Sequence, residues 1–300
     1  MELSDLQIFR TVVQTGGILR AAESLHRAQS SVTARIQALE EKLAAPLFIR
    51  EGRRLQLAPA GRVLLQYADR LLDLAKEATE AVKLDQPSGT LRLGAMESTA
   101  AVRLPQPLGV FHEAHPDVTL ELYIGDPTEH TRQVLSGELD AALVAIAVSD
   151  KRLASAAVYE EEMVLISEAK HAPVSSPKDV QDAKALLVFH PGCPHRRRFE
   201  DWFARAHVSP QRMVEVGSYH AILGCVAIGM GVALVPANVL DTYSERGRLG
   251  VHRLGPKFRY AHTRLIWRRD SPQAKVQALK AALLAKGNPT RPPGTFGPTN

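Results

Sequence analysis

The stretch "RAAESLHRAQSSVTARIQALEEKL", residues 20–43, decides the reading of this chain. Ala21, Ala22 and Leu25 make one short apolar face, and Val32, Ile36, Leu39 and Leu43 make a second at the spacing of a helix that faces a core. A short turn, His26 to Gln29, separates them. The spacing predicts a helix over 30–44, with Ser30 as N-cap because its hydroxyl can accept from an orphan amide. Gln29, Ser30, Ser31 and Thr33 then lie on or beside its first turn, with Arg27 and Arg35 around them. A helix pair that only packs has no use for such a face. A helix whose N-terminal end must meet polar, negatively charged groups does.

The flanks fit that reading. Upstream, Leu3, Leu6, Ile8, Phe9, Val12 and Val13 recur at helical spacing over 3–14, and Gly16-Gly17 ends that helix before a second over 18–25. Downstream, "PLFIREGRRLQLAPAG" places two alternating runs, Leu47–Arg50 and Arg53–Leu57, around Glu51-Gly52, the pattern of a β-hairpin. Three helices and a basic hairpin over 1–58 read either as a helix pair with a merely solvated polar face or, equally, as a winged helix-turn-helix. Its third helix fits the major groove of double-stranded DNA and brings Gln29, Ser30, Ser31 and Thr33 to bases or phosphates. Arg35 can fork onto guanine or phosphate, and Arg50, Arg53 and Arg54 sit over the sugar-phosphate backbone and supply salt-dependent affinity. The charge distribution agrees. The 300-residue chain carries a formal +5, and within 20–62 eight Lys and Arg stand against four Glu.

Pro59 opens a long helix at a position that tolerates proline, predicted over 59–84. Leu64, Ala68, Leu71, Ala75, Ala78 and Val82 give alternating steps of four and three, expected as the seam by which two copies of the chain pair; the alternative is one amphipathic helix packed on its own domain. "DQPSGT", 85–90, reads as a hinge. From 91 onward strand-like and helical runs alternate, which predicts an α/β body with mostly parallel strands. Strands are expected at 91–95, 118–124, 141–148, 185–189, 213–216, 232–235 and 263–267. Helices are expected at 100–115, 128–136, 196–206, 219–228 and 272–286. A body over 91–287 can split into two subdomains, 91–162 with 266–287 and 163–265, around a cleft. The tail from 288 to 300, rich in Pro and Gly, is expected to be disordered.

Three strand-to-helix turns in this body carry candidate ligand groups: Ser98 and Thr99 in "MEST", Gly192 and Cys193 in "FHPGCPHRRRFEDW", and Ser218 after Gly217. Each can offer hydroxyls or free amides to negative charge, and Arg196, Arg197 and Arg198 add positive charge at one of them. The expected ligand is therefore a small anion, a carboxylate above all. Each turn reads equally as an ordinary helix start. Cys193 and Cys225, with His190, His195 and His220 nearby in sequence, leave open a thiol- or metal-responsive alternative, although their spacing matches no zinc site. No nucleophile elbow, kinase set or metalloprotease helix is present, so no enzyme and no cofactor are expected. The acidic N-terminus and the lack of an 18-residue apolar run argue against export and against a membrane, so the expected location is the cytoplasm.

Residues 6–72, "LQIFRTVVQTGGILRAAESLHRAQSSVTARIQALEEKLAAPLFIREGRRLQLAPAGRVLLQYADRLL", resemble the N-terminal region of LysR-type transcriptional regulators. The likeness rests on Ala21-Ala22, Gln29-Ser30, Ile36, Leu39-Glu40, Leu47-Phe48, Arg50, Leu57 and Pro59-Ala60-Gly61. Ser31 departs from the proline or alanine that many members carry there, so no base preference transfers. "GSYHAILGCVAIGMGVALVP", 217–236, is similar to a segment of the family's effector-binding domain, itself similar to periplasmic solute-binding proteins. The resemblance implies a sequence-specific regulator that works as a dimer or tetramer, answers a small-molecule effector in the cleft and contacts RNA polymerase. It also implies that the turns at 98–99, 192–193 and 217–218 border that cleft.

Overall fold

The structure is a computed structural model that describes residues 1–51, 54–83, 87–210, 212–271 and 274–285, with the side chains of Arg50, Glu51, Arg54, 76–77 and 80–83 left aside. The chain forms two compact units, Met1–Asp85 and Gln86–Asn300.

In the first unit, α1 (Leu3–Thr15), α2 (Ile18–Ser24) and α3 (Gln29–Leu43) precede a hairpin of β1 (Phe48–Glu51) and β2 (Arg54–Leu57), and α4 (Pro59–Lys83) closes it. Gly16, at φ 72°, ends α1 in the left-handed conformation that glycine adopts without strain. The core gathers Leu6, Phe9, Val12, Ala21, Val32, Ile36, Leu39 and Leu47. Leu43, expected to face inward, is 38% exposed because α3 has reached its last turn. The Glu40 carboxylate accepts from the amides of Leu47 and Phe48, at 2.7 and 3.1 Å, and so fixes the hairpin to the end of α3. A Cβ at Gly61 would strike the Leu47 carbonyl, so only glycine lets the first turn of α4 press on the hairpin.

Two of the seam residues expected to pair chains are spent within this core. Ala68 is fully buried, and Leu64 packs on the same cluster with Leu65 and Leu72. The exposed apolar face of α4 is instead Val63, Tyr67, Leu71, Leu74 and Ala78, with Ala75 half-buried beside it. The reason is that α4 serves its own domain first, and that contact takes the 64/68 stripe. The Val82 side chain, Arg53, the hinge residues Asp85 and Gln86, and the tail 288–300 lie outside the described residues. Gly89 and Thr90, assigned to the hinge, already pair with Val118 and Thr119.

The second unit runs β3 (Gly89–Ala95), α5 (Glu97–Val102), α6 (Pro105–Ala114), β4 (Val118–Ile124), α7 (Pro127–Ser136), β5 (Ala141–Val144), β6 (Leu153–Glu168), β7 (Leu186–Val188), α8 (Pro194–Arg205), β8 (Met213–Glu215), α9 (Tyr219–Ala227), β9 (Val232–Pro236), β10 (Leu249–Arg253), the single turn α10 (Pro256–Arg259), β11 (Tyr260–Arg268) and α11 (Ala274–Leu284). The helix expected over 100–115 divides because Pro105 has no amide to continue α5 and starts α6 instead.

One mixed sheet follows the order β4-β3-β5-β11-β6-β9-β7-β8, with β10 beside β6. Parallel pairs form at β3–β4, β3–β5, β7–β8 and β7–β9, whereas β6 and β11 run antiparallel to their neighbours, so the sheet is less parallel than the alternation implied. The long strand β6 joins two lobes. Its first part, to Glu162, pairs with β11, and from Met163 it pairs with β9. The return crossing falls on β11 before the expected 266: Ala261 packs in the core of the second lobe and Leu265 in that of the first. Among the described residues no helix is long and apolar enough to cross a membrane.

Candidate functional site

In the first unit, Gln29, Ser30 and Ser31 are exposed on the first turn of α3, while Val32 is fully buried beneath them. The helix starts one residue earlier than expected. Ala28 is the N-cap and Ser30 is not, and no side chain caps this end. An uncapped helix start offers its amides and its positive dipole end to an outside anion such as phosphate. Thr33 is half-buried, and its hydroxyl donates to the Gln29 carbonyl at 2.9 Å, so it props the turn rather than standing free. Arg35 is exposed but engaged, with Nη1 2.6 Å from Asp5 Oδ1. Burial alone would raise the Asp5 carboxyl, yet the Glu2 amide and the Arg35 guanidinium together hold it below its usual range. Arg50 and Arg54 fall on the two hairpin strands, where Arg50 pairs with Leu55 and Glu51 with Arg54.

In the second unit a cavity of about 200 Å³ opens where the lobes meet. The first lobe contributes Met96, Glu97, Ser98, Ile124, Gly125 and Pro127. The second contributes Phe189, His190, Cys193, Pro194, His195, Gly217 and Tyr219. The Phe189 and Tyr219 rings lie 4.5 Å apart and form an apolar wall. Glu97, at the start of α5, crosses to the other lobe, where its Oε1 accepts from the Tyr219 amide at 3.4 Å. Its Oε2 is buried without a hydrogen-bond partner. Burial pushes the Glu97 carboxyl up, against the opposing pull of the Tyr219 amide and of His220. Burial, with Arg198 adding to it, takes the His195 imidazole down to about 4, so this ring is neutral at physiological pH.

The same junction holds a buried ion pair. Arg103 meets Glu161 through two bonds of 2.8 and 2.9 Å, and the Asn238 amide of the second lobe donates to Glu161 Oε2 at 2.8 Å. A buried pair of this kind is stable only when its remaining lone pairs are satisfied, and Asn238 does that across the junction.

Against known families, the model for "Bacterial regulatory helix-turn-helix protein, lysR family" matches residues 3–62, and "LysR substrate binding domain" matches residues 84–288. The chain belongs to the LysR family. Among its relatives, the HTH-type transcriptional regulator YofA of Bacillus velezensis is 39% identical over 273 residues, covering 90% of this chain and 93% of the relative. GltR of Bacillus subtilis, also named an HTH-type transcriptional regulator, is 36% identical over 272 residues, covering 90% and 92%. Full-length BenM has the same fold at a TM-score of 0.58 and 26% identity, covering 94% of this chain and 95% of that one. CbnR in complex with its target DNA aligns at a TM-score of 0.68 and 22% identity, covering 94% and 99%, a likeness of fold. The chain is thus a DNA-binding transcriptional regulator with an effector-binding domain, and not an enzyme.

Within this LysR chain the expected ligand residues separate. Ser98 and Cys193 line the cavity, and Gly217 brings in the third turn. Thr99 is 2% exposed and packs inside α5, Ser218 is the N-cap of α9 just outside the lining, and Gly192 plays a different part. A Cβ at Gly192 would collide with the Asp126 carboxylate, so this glycine allows the lobes to approach. The three arginines of α8 do not reach the cavity lining. Arg196 pairs with Glu200 and Glu215 and donates to the Phe189 carbonyl, Arg198 donates to the Phe258 carbonyl, and Arg197 points to solvent. The carboxylate expectation loses its cations. The thiol alternative is not favoured either, because burial raises the Cys193 thiol away from the reactive thiolate. Among the described residues no group of His, Cys, Asp and Glu is placed to hold a metal ion.

The sequence reading missed Glu97, Tyr219, Phe189 and the Arg103–Glu161–Asn238 tie, and it weighed His195 only beside the cysteines. Arg103 left a usable signal, a lone arginine between Val102 and Leu104 in an apolar run.

Proposed function

We propose that the first turn of α3 reads DNA, that α4 pairs two chains through Val63, Tyr67, Leu71, Leu74 and Ala78, and that the lobe-junction cavity is the effector site. The observation that carries the DNA reading is the exposed polar turn Gln29-Ser30-Ser31 at a helix end that no side chain caps. Paired chains would set two such helices on successive major-groove faces of an interrupted palindrome, and two pairs would give a tetramer. Effector binding between the lobes would change the geometry of that assembly on DNA and its contact with RNA polymerase. The cytoplasm is where such a regulator meets its DNA.

The test is fluorescence anisotropy on genomic fragments that the protein itself selects. Gln29→Ala should relax the preference among fragments, whereas Arg53→Ala should weaken all of them alike and lower the salt slope by about one. Equal affinity of both variants and the parent for every fragment overturns the DNA reading.

A further inference from the structure

We propose that the lobe-junction cavity selects a small ligand that joins an apolar body to a hydrogen-bond-donating head, an amine or amidine, and that Glu97 receives that head. This rests on the reading that the cavity is the effector site.

The lining carries the argument. Met96, Ile124, Pro127, Phe189 and Tyr219 make the walls apolar, and neither lysine nor arginine is among the lining residues. Glu97 Oε2 is buried without a partner, a state that is costly for a carboxylate and that a donor on the ligand would relieve. A ligand carboxylate would meet the opposite situation. The position that favours an anion, at the start of α9, is already taken by Glu97 Oε1 on the Tyr219 amide. A second carboxylate there would face a like charge in an apolar enclosure whose lining holds no lysine or arginine to offset it. The ring of His195 is buried and neutral, and His190 Nδ1 lies 3.6 Å from the Asp126 carboxylate.

Three probes with one ring and one head test this on the full chain: benzylamine, benzamide and benzoate, by titration calorimetry at pH 7. Ile124→Trp, at a position 59% exposed on the cavity rim, serves as a block that should not disturb a core. The proposal expects benzylamine to bind at least about tenfold more tightly than benzoate, in line with one charge-assisted hydrogen bond. Glu97→Gln should bring benzylamine down to the level of benzamide, and Ile124→Trp should remove binding of all three. Benzoate binding as tightly as benzylamine, but lost in Ile124→Trp, overturns the donor class and leaves the cavity as the ligand site. No binding of any probe, or binding indifferent to Ile124→Trp, overturns both. The wild-type ranking alone decides the ligand class, whether or not the variants fold.

Discussion

Arg35 Nη1 lies 2.6 Å from Asp5 Oδ1, so the arginine proposed to meet a base is tied to the first turn of α1. The pair sits at the surface, with the arginine side chain 45% exposed, and exposed pairs add little to stability. Its consequence falls on DNA binding. In the proposed DNA contact Arg35 exchanges Asp5 for the DNA, and Asp5 would add a negative charge beside the phosphates. Asp5→Asn should therefore tighten binding to all DNA and steepen its salt dependence. Arg35→Ala should cost about 1–3 kcal/mol and blur one base position. Anisotropy titrations at several salt concentrations measure both. An Asp5→Asn protein with unchanged affinity and slope would show that Asp5 and Arg35 stay paired on DNA.

The α4 surface separates two kinds of failure. Tyr67 and Leu74 are 55% and 54% exposed, whereas Ala68 is fully buried. Leu74→Glu should leave the chain folded and shift sedimentation toward the monomer, because a charge would lie unpaired in the proposed contact. Ala68→Glu should instead unfold the first unit. A Leu74→Glu protein that remains dimeric places the chain contact elsewhere.

His195 makes the second unit acid-sensitive in a defined window. Its imidazole titrates near 4 when folded and near 6.5 when unfolded. Below 6.5 the unfolded chain takes up a proton that the folded chain refuses, so stability is full above 6.5 and falls as pH drops toward 4. The loss amounts to roughly 3 kcal/mol over that window. His195→Leu should remove this part of the slope. Glu97, held up by burial, works in the opposite sense as pH rises above 4.5, and it cancels when the two proteins are compared by urea denaturation at each pH. Parallel stability curves for wild type and His195→Leu would contradict the account.

The Arg103–Glu161 pair offers a direct measure of what holds the lobes. Arg103→Ala strands a carboxylate that is 5% exposed and should cost about 3–5 kcal/mol. The double change Arg103→Met with Glu161→Leu should recover most of that, since it removes both charges together. Denaturant midpoints of the two variants decide the matter, and a double variant no better than the single one would assign the loss to packing instead.

The parts of this chain that carry a period were legible. Val32, Ile36 and Leu39 repeat as a helix face does, and the two runs around Glu51-Gly52 alternate as strands do, so the three short helices and the hairpin of the first unit could be read. The strand β6 was not. Its centre, Glu160-Glu161-Glu162, breaks the alternation, and only the fold reveals that Arg103 and Arg259 neutralise two of those charges at 2.8 and 2.9 Å. The cavity was legible in place but not in chemistry. Turns after strands mark where a ligand can sit, whereas Arg196 is drawn away from the cavity by Glu200 at i+4, by the Phe189 carbonyl and by Glu215, 19 positions on, and only the first of these is visible in local spacing. Leu64 and Ala68 show the same limit on α4: a seam of spacing four and three does not say which partner it faces.

Everything proposed for the first unit turns on whether an exposed, uncapped α3 turn reads DNA in a chain that pairs. Sequencing the genomic fragments bound by the purified protein, beside those bound by a Gln29→Ala, Arg35→Ala double variant, tests it most directly. The wild type should enrich fragments sharing two inverted half-sites about one helical turn or more apart, and the double variant should lose this enrichment while keeping salt-sensitive, unspecific binding. Enrichment of the same fragments by both proteins, or none by the wild type, would contradict it.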